Sequence, residues 1–184
     1  MSDTNSPSQR EASGAEDATA RIVVLGVGNL LMRDEGVGIH AVRQLGCRYR
    51  FPENVELIDG GTSGLDLLPL LEDAGRLIVI DALRCDRAPG TVVLLRDEEA
   101  PAFFRTKLSP HQVGLADLLA MLAFKGTAPA SVTIVGVVPS EMALGMELTP
   151  IVSHSMDRVI ATVVDELTRS GAKCVPRPPS DLIE

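Results

Sequence analysis

From Arg21 onward, short runs dense in β-branched residues alternate with longer stretches whose apolar residues recur at helical spacing. The runs Ile22–Val27, Val55–Asp59, Leu77–Asp81, Thr91–Leu95 and Ser131–Val137 read as strands. Most are apolar throughout, as strands are when helices cover both faces of a parallel sheet. Helices are expected near 35–48, 64–74, 111–124 and 149–169. In the last, Ile151, Val152, Met156, Val159, Ile160, Val163, Val164 and Leu167 share one face. Strands and helices taken in turn predict an α/β fold, a three-layer α/β/α sandwich around a mostly parallel, twisted sheet of about five strands.

At 184 residues with 45% hydrophobic content, the chain suits one domain with a sizeable core. Residues 1–20 are rich in Ser, Ala, Asp, Glu and Thr and have little to bury, so they are expected to form a disordered leader. The domain is expected over 21–171, followed by a loose tail over 172–184, where prolines 176, 178 and 179 cannot continue a helix. A net charge of −8, without a dense Lys/Arg stretch, argues against nucleic acid and anionic membranes as partners. No apolar run approaches the roughly 20 residues of a membrane span. Cys47, Cys85 and Cys174 are odd in number and widely spaced, which fits free thiols in a reducing cytoplasm better than a disulfide framework.

In a parallel α/β sheet, chemistry gathers beyond the carboxyl ends of the strands. Asp59 and Asp81 each end an apolar run there. The segment after the first strand supplies Asn29, Asp34 and Glu35, and the start of a later helix supplies Ser109 and His111. A first-turn position favours a carboxylate at Glu35 and the neutral, metal-binding ring at His111, because both feel the positive end of a helix dipole. Asp34 is expected to cap its helix, and Ser109-Pro110 and Thr149-Pro150 each place a hydroxyl cap before a proline. Glu35, Asp81 and His111 together would suit a borderline divalent ion such as nickel or zinc, with a coordination position left open. Each residue also has a structural reading, as a helix-start acid, a strand-end turn former or a first-turn surface residue.

The stretch Asp59-Gly60-Gly61-Thr62 offers flexible backbone for a substrate, with Asp59 as a candidate general base. His40 and His154 read as structural or solvated. Gly26-x-Gly28 after a strand also suggests a nucleotide-binding turn, but the third glycine of that fingerprint is replaced by Leu31.

Four segments together resemble the hydrogenase maturation proteases. They are the run from Gly26 to Gly38, Asp59-Gly60-Gly61-Thr62, Ile80-Asp81-Ala82, and the run from Leu108 to Gly114. The resemblance implies an endopeptidase, conventionally labelled aspartic-type and nickel-dependent, that removes a C-terminal extension from the large-subunit precursor of a nickel-iron hydrogenase. It implies that Glu35, Asp81 and His111 bind metal, that the nickel arrives with the substrate, and that other divalent ions can occupy the site in vitro. Asp59 matches a functionally important position, and Asn29, Gly60, Gly61 and Thr62 would contact substrate. A noncatalytic chaperone that senses the metal-loaded precursor is the alternative.

Overall fold

The computed structural model describes residues 20–97, 99 and 110–178, with the backbone alone for 110–113. Its centre is a five-stranded sheet in the order β3-β1-β4-β6-β5. The strands are β1 (Ile22–Val27), β3 (Val55–Gly61), β4 (Arg76–Ala82), β5 (Val92–Arg96) and β6 (Ser131–Val137). β1 pairs in parallel with β3 and β4, and β4 in parallel with β6, while β5 closes one edge antiparallel to β6. The expected sheet is therefore present, with five strands and one antiparallel edge.

The pleat sorts each apolar strand between two cores. Ile22, Val24, Ile78 and Ile80 face the layer of α1 (Val37–Arg48) and α4 (Pro150–Arg169). Val23, Leu25, Leu77 and Val79 face α2 (Leu68–Leu71) and α3 (Pro110–Lys125). The inner face of α4 buries Val152, Met156, Val159, Ile160, Val163 and Leu167. Each fully buried aliphatic side chain of this kind stabilises by about 1.5–3 kcal/mol. Ile151, expected on the same stripe, lies at its margin and is 51% exposed.

α4 ends in a Schellman motif: Gly171 has φ 82°, its N–H donates to the Thr168 carbonyl, and the Ala172 N–H donates to Leu167. The tail beyond differs from expectation, because its first residues are secured. Val175–Pro176 (β7) pairs antiparallel with Tyr49–Arg50 (β2), and Arg177 donates through its backbone N–H to Arg48 and through Nε to Tyr49. Main-chain pairing supplies what the side chains do not bury. Residues 1–19 of the expected leader and 179–184 of the tail lie outside the described residues. Among the described residues, no helix is long and apolar enough to cross a membrane.

This topology fixes where a site can form. From β1 the chain passes through α1 to β3 on one side, whereas β4 lies on the other and its neighbour is β6. Connections leaving β1 and β4 thus diverge, opening a crevice at their carboxyl ends.

Candidate functional site

Asp81 sits at that crevice. It occupies the end of β4 and is 6% exposed. Ile80 belongs to the core beneath α1 and α4, so the pleat turns Asp81 to the opposite face, the layer that carries α3. Among the described residues its carboxylate accepts one hydrogen bond, from the Ala82 N–H at 2.7 Å. Burial pushes its pKa up, the Ala82 bond partly opposes this, and the charge of Glu35 adds to the rise, leaving it at about 8. At neutral pH this acid is mostly protonated.

Glu35 is half-buried in a 3-10 turn, Arg33–Gly36, that precedes α1. The residue that holds this turn is Asp34, and the structure corrects its expected role. Neither the turn nor α1 has a side-chain cap. Asp34 points inward instead, 1% exposed, and accepts hydrogen bonds from the N–H groups of Ser140 and Glu141, both at 2.9 Å, and of Thr149 at 2.8 Å. The Thr149 hydroxyl donates to it as well, at 2.9 Å, and so does not cap α4. One buried carboxylate therefore clasps the Glu35 turn to the 140–149 loop. Three main-chain bonds reinforce the clasp, from the Arg33 N–H to Gly145, from the Asp34 N–H to Glu141 and from the Gly145 N–H to Leu31. They hold Arg33 at φ 46°, a left-handed conformation that a side chain rarely adopts unaided.

His111 is the second residue of α3, so its backbone is in the expected first turn. Its side chain, and all of Ser109, lie outside the described residues. Among the described residues, no group of three His, Cys, Asp or Glu side chains is arranged to hold a metal, a statement that leaves His111 aside. The two acids of the expected trio are brought together.

Asp59 is placed differently. Its Cα lies level with Gly26, which lies level with Ile80, so Asp59 points to the α1 face while Asp81 points away from it. Asp59 is exposed, and Arg43 of α1 donates to its Oδ2 at 3.0 Å. The Asn29 side chain is turned onto its own loop, where Oδ1 accepts the Leu31 N–H. His154, exposed on α4, has its ring against the Pro150 carbonyl, and His40 lies partly buried on α1.

The glycines around β1 serve the chain's own packing. A Cβ at Gly28 would lie 1.8 Å from the Glu35 carbonyl oxygen, and one at Gly38 would lie 2.2 Å from that of Ile80. Where a nucleotide-binding turn lets a pyrophosphate approach its second glycine, this chain has placed its own Glu35 backbone. That removes the structural basis for the nucleotide reading.

Beside the acids, an apolar cavity of about 220 Å³ opens between the end of β3 and α3. Gly61 and Thr62, two of the expected substrate-contact residues, line it. Its walls Leu67, Leu115 and Leu118 were not singled out by sequence, since apolar residues at helical spacing read as ordinary core.

Comparison with known proteins supplies the family. The family model described as hydrogenase maturation protease matches residues 39–166. The hydrogenase 2 maturation protease of Escherichia coli K12 is 45% identical over 158 residues, which cover 85% of this chain and 96% of that protein. The hydrogenase expression/formation protein HupD of Rhodobacter capsulatus is 43% identical over 153 residues, covering 82% of this chain and 73% of the relative. Among solved structures, the hydrogenase maturating endopeptidase HybD from E. coli superposes with a TM-score of 0.82 at 45% identity, covering 85% of this chain and 98% of that one. A [NiFe] hydrogenase maturation protease from Thermococcus kodakarensis gives 0.67 at 28% identity, covering 79% and 98%. On the family model, the relatives and the shared fold together, the chain belongs to the hydrogenase maturation protease family.

Proposed function

We propose that this endopeptidase removes a C-terminal extension from the large-subunit precursor of a nickel-iron hydrogenase, and that Glu35, Asp81 and His111 read nickel already seated in that precursor. The observation that carries the reading is Asp81, a buried acid whose pKa is raised to about 8 and which has a second acid, Glu35, beside it. Two neighbouring carboxylates, one forced to keep its proton by burial and by the other, are a donor set that favours an incoming divalent cation. An imidazole from the first turn of α3 would complete three ligands and leave a position for substrate groups.

The chain's own part is then definite. Asp81 holds a proton until a cation arrives and releases it on binding, because a coordinating carboxylate must be ionised. Asp34 keeps Glu35 in place, and Asp59 shapes the edge of β3 beside Gly60, Gly61 and Thr62, where we place the precursor backbone. A cation so held would supply either a tether that positions the scissile bond or polarisation of its carbonyl. On this reading the cation belongs to the substrate and the protein needs no resident cofactor, although other divalent ions can bind in vitro. We place the activity in the cytoplasm, with Cys47, Cys85 and Cys174 unbridged.

The test is to incubate the purified protein with nickel-loaded and nickel-free precursor and follow precursor mass. Shortening of the loaded form alone is the expected result. A loaded precursor that is bound but never shortened would make the protein a chaperone, and equal cutting of both forms would remove nickel reading.

A further inference from the structure

We infer that the cavity between β3 and α3 is a specificity pocket that takes one aliphatic side chain from the precursor segment flanking the bond to be cut. The inference rests on the precursor-cutting function proposed above. Val27, Leu67, Leu115 and Leu118 supply the walls, and Thr62 is the only polar side chain among the described lining residues. Among the described residues, no charged group lines the cavity to hold a phosphate or carboxylate. At about 220 Å³ it falls below the roughly 300–1,000 Å³ of sites that enclose a whole drug-sized ligand. That size and chemistry suit a single apolar side chain.

Its position ties it to the cut. Gly28, on its wall, lies against the Glu35 carbonyl, and Gly114, on another wall, lies one turn beyond His111 on α3. A side chain in the pocket would come from the same short stretch of precursor that meets the acids. Gly61 has φ 51°, and among the described residues a Cβ there would meet nothing within 4 Å. The pocket would then set which residue stands at one position near the scissile bond, while the acids report whether the metal is present.

Gly114 offers a way to fill the pocket without breaking the fold. Among the described residues a Cβ there would meet only the Gly64 Cα, at an ordinary 3.9 Å, and alanine favours a helix more than glycine does. The experiment pairs wild type, Gly114→Ala and Gly114→Leu with nickel-loaded precursors carrying Asp, Ala or Leu at each residue near the bond. KM and kcat are measured for each pair, and thermal melts check folding. With wild type, one precursor position should reject Asp by about 10- to 100-fold in kcat/KM, the range expected for an aliphatic side chain denied burial. Gly114→Leu should raise KM more than it lowers kcat, and Ala at that same precursor position should restore processing.

Uniform tolerance of Asp, an unchanged KM in Gly114→Leu, or no relief by Ala would overturn the pocket. Should Gly114→Leu fail to fold, the precursor panel with wild type and Gly114→Ala decides alone. If wild type cuts no loaded precursor at all, the parent function fails, an outcome distinct from cutting without side-chain preference.

Discussion

Glu166 and Asp81 are both buried acids, set at opposite ends of the same sheet, and their pKa values move in opposite directions. Glu166, on α4, faces the ends of the strands where β4 and β6 begin, and Arg96 of β5 grips both its oxygens, through Nε at 3.0 Å and Nη2 at 2.6 Å. The Arg96 hydrogen bonds hold its pKa below the ordinary value. Asp81, at the other end, has a single backbone donor among the described residues and a second acid nearby, and burial drives it up to about 8. One end of the sheet is charge-compensated from within. The other holds acid chemistry that a cation from outside would complete, which is how a structural carboxylate differs from a receptive one.

The largest effect should follow from removing the receptive groups. Glu35→Gln, Asp81→Asn and His111→Ala should each slow processing of the loaded precursor by more than about 100-fold, beyond the 10–100-fold typical of outer-shell metal partners, with circular dichroism unchanged. Near-normal processing in any of them would remove that residue from the site.

The two acids should also leave opposite marks on stability against pH. Asp81 has its folded pKa raised from 3.8 to about 8, so between these values the folded protein keeps a proton that the unfolded chain has released. Stability therefore falls as pH rises through that window, by up to about 1.4 kcal/mol per pH unit from this group. Asp81→Asn should flatten this decline and melt higher than wild type at pH 8, while having lost processing. Glu166 acts in reverse: its folded pKa is lowered, so its contribution is present above the ordinary value of 4.5 and is lost as pH falls through the folded one. Equal pH slopes in wild type and Asp81→Asn would contradict the placement of the uncompensated acid.

How far the site could be read from sequence depends on how local its causes are. The strands of the sheet announce themselves because they are apolar on both faces, and Asp81 stands out as the polar residue that ends one. Asp34 could not be read this way. Its partners lie 106 to 115 residues further along the chain, so nothing near it signals a clasp rather than a helix cap. Thr149 misleads for the same reason, since a hydroxyl before Pro150 looks like a cap until its acceptor is seen. Asp59 resembles Asp81 in sequence, each following an apolar run, yet the pleat sends them to opposite faces and Arg43 meets only the first. The β2–β7 pair escapes notice because two-residue strands carry no periodicity.

Smaller effects sharpen the comparison. Arg96→Ala leaves Glu166 the longer Arg169 ion pair at 3.7 Å and should cost about 2 kcal/mol in urea unfolding, less than the roughly 3–5 kcal/mol of a fully buried pair because the Arg96 side chain is 43% exposed. Processing should survive it under conditions where the protein stays folded. Asp34→Asn offers an amide to a place where every partner is a donor, and should cost about 1–3 kcal/mol. Hydrogen exchange should show the Ser140, Glu141 and Thr149 amides opening first. Unchanged protection at those three would mean that the clasp is not what holds the loop.

The most direct measurement is a carboxyl-carbon NMR titration of Asp81, with and without nickel. A midpoint near 8 is expected in the protein alone, falling sharply once nickel is added, as the cation displaces the proton. A midpoint near the ordinary 3.8, or one that nickel does not move, would contradict this expectation.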